Sequence, residues 1–254
     1  LFRSKAKAIR RHQSDRFIGS RVVIINKQDE DGERVKSRWC LQGHLDPDFQ
    51  EKIRSGACYS PTLHPLSRAL LLQIISSKKW TLQLGDIKGA FLEAGPIDKK
   101  FSPLYAHQPQ GGVPGLEPED VIEVLGNVYG ANDAPLNWFN TFDTTTKQIG
   151  WEQSQFDRCL YYLRDKQGQL VGVLGAHVDD TITAGSGSIY EAAVAALRQR
   201  FPYRKWRIGN GEYCGVQYNQ DPQTFNITYG QKEYSEHLRP INLTKDRLKN
   251  KDAL

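Results

Sequence analysis

Apolar and polar positions along this chain follow two periods. Residues 21–26 and 35–41 read as strands joined by the polar, glycine-containing stretch 27–32. On that hairpin Lys36 and Arg38 lie two residues apart and project from one face. Loops follow at Asp46-Pro47 and at 58–61. Leu66, Ala69, Leu70, Leu71, Leu72, Ile74 and Ile75 are then dense enough for a largely buried helix ending at Lys78-Lys79. Residues 80–84 alternate as a strand that ends near Asp86, and 88–92 form a tight turn. Five prolines and repeated glycines make 96–118 an irregular excursion, with 105–108 extended.

Residues 121–125 read as a short strand. Asp133-Ala-Pro135 has the N-cap and first-turn proline of a helix carrying Leu136, Phe139, Phe142 and Ile149, stopped by Gly150. Residues 159–163 and 170–178 form a second hairpin, and 181–184 continue as a strand after a tight turn at Asp179-Asp180. Ser188 and Glu191 have capping-box spacing. Behind them Tyr190, Ala193, Val194, Leu197 and Phe201 give an amphipathic helix. Short strands are expected at 203–207, 213–218 and 224–229, a helix at 231–238 and a polar tail at 245–251. Strands and helices mixed in this order, with acids carried on hairpins, predict an α+β fold.

Two stretches organise the chemistry. The run from Val171 to Val178 is almost uncharged and delivers Asp179 and Asp180; Leu84-Gly-Asp86 delivers a third acid. Were both runs neighbouring strands, three carboxylates would meet at one edge of a sheet. Such a cluster repels itself unless divalent cations neutralise it. Phosphoryl transfer uses that arrangement, because two metals held by a few carboxylates stabilise the attacking and the leaving oxygens. An Asp-Asp pair alone is weak, but a solvated turn would not require so apolar an approach.

Composition narrows the choice only slightly. The 254 residues are 39% hydrophobic and 25% charged, enough for a real core. The net charge of +5 and pI near 8.9 suit a polyanionic partner and are also common among ordinary proteins. The basic segment 1–11 reads as a solvated terminus or a phosphate contact. The absence of Met, with Leu1 first, reads as a piece of a longer chain, and no stretch is long enough to cross a bilayer. Cys40, Cys58, Cys159 and Cys214 lie far apart, as expected of reduced cysteines in an intracellular protein rather than a metal–thiolate site.

Four motifs carry a resemblance. Asp86-Ile-Lys-Gly-Ala-Phe91-Leu, Val128-Tyr-Gly-Ala-Asn-Asp-Ala-Pro135-Leu-Asn-Trp138, His177-Val-Asp179-Asp180 and Tyr213-Cys-Gly215-Val resemble the successive palm motifs of copia-type LTR retrotransposon reverse transcriptases. The match runs from about Lys36 to about Leu238, in the family's order. It implies a right-hand polymerase fold: a basic segment over 1–20, mainly fingers over 21–85, mainly palm with some fingers over 86–218, and the start of a thumb or connection over 219–254.

The resemblance also implies an RNA-directed DNA polymerase using two Mg2+ or Mn2+ ions on Asp86, Asp179 and Asp180. Asp86 and Asp179 would contact both ions. Lys36 and Arg38 would meet the dNTP triphosphate, Phe91 would exclude a ribose 2′-hydroxyl, and Tyr129 and Gly130 would line the nucleotide pocket. Tyr213, Cys214 and Gly215 would grip the primer. Expected partners are an RNA or DNA template-primer and dNTPs, with no membrane, in an intracellular setting such as a virus-like particle or the nucleus. The residues alone leave Phe91 equally a packing residue, and Lys36 and Arg38 equally an exposed basic strand.

The chain departs from the family in two places. His177 stands where an aromatic residue is usual, either titrating beside the acids or sitting as a core histidine. Ala131-Asn-Asp-Ala-Pro135-Leu stands where the family has Leu-Lys-Gln-Ala-Pro-Arg, so two cations are missing. The alternative to an active polymerase is a catalytically silent, nucleic-acid-binding transposon remnant.

Overall fold

The computed structural model describes residues 14–29 and 32–239, so the basic terminus at 1–11 and the tail at 245–251 lie outside the described residues. Helices and sheets mix as the sequence predicts, in an α+β arrangement. The strands are β1 (Phe17–Ile18), β2 (Ser20–Asp29), β3 (Gly32–Leu41), β4 (Gln83–Ile87), β5 (Tyr105–His107), β6 (Val121–Glu123), β7 (Glu152–Gln153), β8 (Leu160–Arg164), β9 (Leu170–His177), β10 (Asp180–Gly185), β11 (Tyr203–Ile208), β12 (Asn210–Tyr213), β13 (Val216–Gln220) and β14 (Ile227–Gly230). The helices are α1 (Phe49–Arg54), α2 (Pro65–Ser77), α3 (Ala90–Glu93), α4 (Ala134–Ile149), α5 (Ser188–Arg200) and α6 (Lys232–Glu236).

The centre is a six-stranded antiparallel sheet in the order β11-β4-β10-β9-β8-β7. Helices α4 and α5 cover one face through Trp138, Phe142, Tyr190, Leu197 and Phe201. The other face packs Leu84, Val173 and Ile182 against Leu71 and Ile75 of α2 and against Tyr213 and Tyr218 of the β12-β13-β14 sheet. Because β9 is covered on both sides, residues 172–176 are all buried, which accounts for its unbroken apolar run in an antiparallel sheet.

The β2–β3 hairpin forms a two-stranded sheet of its own, from Ser20↔Leu41 out to Asp29↔Gly32, and touches the rest of the chain by a bridge between Cys40 and Tyr129. Its strands run further than the sequence predicts, since ladder bonds between two solvated strands do not depend on side-chain polarity. Val22, Ile24, Ile25 and Val35 are exposed on it. At its base the Leu41 amide donates to the Tyr129 carbonyl at 2.8 Å, and a Cβ on Gly130, at φ +82°, would meet the Leu41 oxygen at 2.1 Å. Gly130 is therefore the point of close approach between hairpin and sheet.

Several local expectations are corrected. Helix α2 is amphipathic rather than largely buried, with Leu66 and Leu70 more than half exposed. Residues 88–92 continue from a turn into the one-turn helix α3, and α1 lies between the two predicted loops, where the sequence predicts no element. The Ser188–Glu191 box does not form: Ser188 is already helical, Gly187 at φ +85° is the cap, and no side chain caps it. Residues 213–218 are two strands rather than one, broken by Cys214 (φ +52°) and Gly215 (φ +70°) in a tight hairpin turn.

Candidate active site

The two acid-bearing runs are neighbouring strands. Asp180 of β10 lies directly opposite Asp86 of β4, and the Ile87 amide donates to the Asp179 carbonyl at 2.8 Å. Asp86 sits inside its strand rather than at its end, and Asp180 is the first residue of β10, paired with His177. The turn is thus Val178-Asp179, with Val178 in the left-handed region at φ +56°, a conformation a β-branched residue resists. It is held from both sides: the Trp138 indole of α4 donates to the Val178 carbonyl at 2.7 Å, and β4 holds Asp179.

Burial dominates the electrostatics. It pushes Asp180 up to about 6, opposed by the Cys214 amide and reinforced by Asp179 and Asp86. Asp179 is also raised by burial and by Asp86, while its own amide, Arg204 and Lys36 pull it down. The Asp86 carboxylate accepts a charge-assisted bond from the Arg204 guanidinium. Burial holds His177 below its ordinary value despite Asp179, so the imidazole is neutral at neutral pH.

Two cavities meet at Asp86. The larger, of about 680 Å³, is lined by Arg34, Lys36 and Arg38 of the hairpin, Asp86, Phe91, Tyr129, Asp179 and Arg204, with others from β4 and α3. Within it the Arg38 guanidinium lies over the Tyr129 ring at 5.1 Å, and the Phe91 and Tyr129 rings meet edge-on at 5.9 Å. The smaller, of about 150 Å³, is walled by Asp86, Asp180, Arg204, Lys205 and Arg207 and by Glu212 and Gln217 of the β12–β13 hairpin. Of the expected nucleotide residues, Gly130 alone lies outside the larger cavity, against Leu41.

The β12–β13 turn reaches the acids directly. The Cys214 amide donates to Asp180 Oδ2 at 3.0 Å. Tyr213 is buried beneath it against Tyr218, ring centroids 6.2 Å apart, and is a core residue rather than a surface one. Burial raises the Cys214 thiol to about 12, so it stays protonated. Arg204, Arg34 and Trp138 were not singled out as site residues from sequence. The basic Arg204-Lys205 and Arg207 of a strand following an amphipathic helix were the legible sign of the first.

Comparison with known proteins places this geometry. A family model described as reverse transcriptase (RNA-dependent DNA polymerase) matches residues 7–250. The chain belongs to that reverse transcriptase family. It is 24% identical over 225 residues to the retrovirus-related Pol polyprotein from transposon RE2 of Arabidopsis thaliana, covering 87% of this chain and 15% of that protein. Against the Pol polyprotein from transposon TNT 1-94 of Nicotiana tabacum it is 26% identical over 167 residues, covering 63% of this chain and 12% of the relative. The copia-type resemblance is therefore upheld, and the chain spans about 15% of the first relative's length. Among solved structures, apo telomerase from Candida tropicalis overlays with a TM-score of 0.46 and 9% identity, covering 84% of this chain and 55% of that one.

In this reverse transcriptase the departures from the family pattern have a structural counterpart: Leu136, where the family has Arg, packs against the core, and Asn132, where it has Lys, and Asp133, where it has Gln, make internal bonds. Asn132 Nδ2 donates to the Gly43 carbonyl at 2.7 Å, and Asp133 receives the buried Lys52 ammonium at 2.9 Å. Lys52 also reaches Asp46 at 2.8 Å and lies over the Phe101 ring at 4.9 Å. Burial alone pulls Lys52 down, yet its bonds to Asp46 and Asp133 leave it above its ordinary value. The segment that departs from the family pattern thus ties α1 to the start of α4.

Reverse transcriptases generally use a divalent metal, and the donors here fit one in kind. Hard carboxylate oxygens stand on adjacent strands, and one of them already holds a cation, the Arg204 guanidinium. Among the described residues no group of three or more Asp, Glu, His or Cys side chains is arranged to hold a metal ion. None of the described helices is long and apolar enough to cross a membrane.

Proposed function

We propose that this chain is the RNA-directed DNA polymerase region of a copia-type retrotransposon Pol polyprotein, joining dNTPs to a primer 3′-hydroxyl. The observation that carries the reading is the Asp86–Asp180 register, which sets three carboxylates between two cation-lined cavities. Residues 21–85 serve mainly as fingers, 86–218 mainly as palm, and 219–254 begin a thumb or connection, with the basic segment 1–20 ahead of them.

Asp86 and Asp179 face the larger cavity and would hold two Mg2+ or Mn2+ ions, with Asp180 beside them. When bound, such ions lower the charge on the attacking 3′-oxygen and on the leaving pyrophosphate. Lys36 and Arg38, both on that wall, receive the triphosphate by charge-assisted hydrogen bonds. Phe91 and Tyr129 form the floor under the sugar. The Cys214-Gly215 turn holds the primer end against Asp180, while Tyr213 anchors that turn in the core. Template-primer and dNTPs are the partners this arrangement suits.

The test is single-nucleotide extension of a labelled primer on RNA and on DNA templates with Mg2+, comparing wild type with Asp86→Asn. Extension on RNA by wild type alone is the expected result. Salt-dependent binding of the primer-template without extension, with Mn2+ as well, would overturn the reading in favour of a silent nucleic-acid-binding remnant.

A further inference from the structure

Arg204 reaches Asp86 because β11 is built to send it there. The register between β11 and β4 runs Tyr203↔Ile87 and then Lys205↔Asp86, which leaves Arg204 as the extra residue of a bulge. Without the bulge, Arg204 would point to the opposite face from its neighbour Lys205; a bulge re-aims one side chain out of that alternation. The strand is pinned on both sides of it. Tyr203 and Trp206 pack edge-on at 4.8 Å, and the Trp206 indole donates to Gln83 Oε1 at 3.1 Å. The Arg198 guanidinium lies over Trp206 at 4.9 Å. Arg204 is therefore delivered to Asp86 by the backbone, and it lines both cavities that meet there.

We propose that Arg204 is a latch on the metal site: it is the counter-cation of Asp86 in the ion-free protein, and a divalent ion must displace it. The chemistry on the page supports this division of labour. Asp86 and Asp180 on neighbouring strands and Asp179 in the adjoining turn repel one another, and an internal guanidinium relieves that repulsion when no ion is present. The same guanidinium competes with the ion for the Asp86 oxygens. Its side chain is 28% exposed and that of Asp86 21%, so the pair is worth at most about 1 kcal/mol, or about fivefold in ion affinity. The ion requirement of the protein is thereby set by a residue that is not one of its ligands. Once released, Arg204 remains in the wall common to both cavities.

The inference rests on the polymerase reading for the identity of the ion, and its test does not depend on extension. Binding of Mn2+ alone to the full chain is measured by the free-ion electron paramagnetic resonance signal, without nucleotide or primer. Arg204→Gln is expected to bind Mn2+ about two- to fivefold more tightly than wild type. Arg200→Gln removes an equal charge from the neighbouring helix, where Arg200 pairs with Glu93 away from β11, and is expected to leave the affinity within about twofold. In a second readout, ion-free Arg204→Gln melts below wild type, and saturating Mn2+ raises its Tm by more. Unchanged or weaker Mn2+ binding by Arg204→Gln, an equal gain in Arg200→Gln, or no Mn2+ binding by either protein overturns the latch. Tighter Mn2+ binding with no extension upholds the latch and removes the polymerase reading instead.

Discussion

The amide of Cys214 is bonded to the carboxylate of Asp180, so the turn proposed to hold the primer and the second of the two adjacent acids move as one unit. Asp180 also borders the smaller cavity while Asp179 borders the larger. Two carboxylates adjacent in sequence therefore face different neighbours, and they respond differently to substitution.

Burial raises Asp180 to about 6 in the folded chain, above the ordinary carboxylate value that the unfolded chain retains. Above pH 6 the buried ionised group lowers stability. As pH falls through 6 the native state takes up a proton that the unfolded chain does not, and the deficit disappears by about pH 4. Asp180→Asn keeps an acceptor for the Cys214 amide and removes the charge. Its urea midpoint in chelator-containing buffer is expected above wild type at pH 7.5 and equal to it near pH 4. A gain of the same size at both values would refute the assignment.

Lys52 holds two carboxylates together in the interior: its side chain is 3% exposed, and those of Asp46 and Asp133 are 2% and 5%. Lys52→Met leaves both acids unneutralised and is expected to cost about 3–5 kcal/mol in urea denaturation. Adding Asp46→Asn to that variant removes one of the two stranded charges and recovers part of the loss. If the double variant is no more stable than the single one, the triad is not the source of the effect.

Phe91 borders the cavity beside Asp86 with its ring edge-on to Tyr129. A sugar gate and a packing residue give different kinetics. Phe91→Ala is expected to lower the preference for dNTP over the matching ribonucleotide, measured as a ratio of kcat/KM, by at least about tenfold. Equal losses for both substrates would leave Phe91 with packing alone.

The strands and helices that place the acids were legible because their apolar periods are long and uninterrupted, as in α4, α5 and the β8–β9 hairpin. Features set by backbone geometry rather than by side-chain pattern were not. The bulge at Arg204 depends on how β11 registers against a strand far away in sequence, which periodicity within β11 cannot report. The break at Cys214-Gly215 lies inside a run whose composition suits a strand, and the capping role of Gly187 displaced Ser188 because the helix begins one residue earlier than the box requires. Asn132 read only as a missing cation and Asp133 only as a helix cap, since their partners, Gly43 and Lys52, are brought to them by tertiary contact.

The strands that carry Asp86 and Asp180 are joined through a long intervening chain; the neighbouring Thr181-to-Gly85 bond closes a separation of 96 residues. Local hairpins such as β8–β9 close early and cheaply, whereas contacts of this range form late and slowly. The β9–β10 hairpin can therefore fold with Asp179 and Asp180 in place well before Asp86 pairs with it, and a chain truncated to the residues after β4 has two acids and no site. In the proposed ion site, competence for binding would become a report on the completeness of the fold, because it needs the long-range β4–β10 contact.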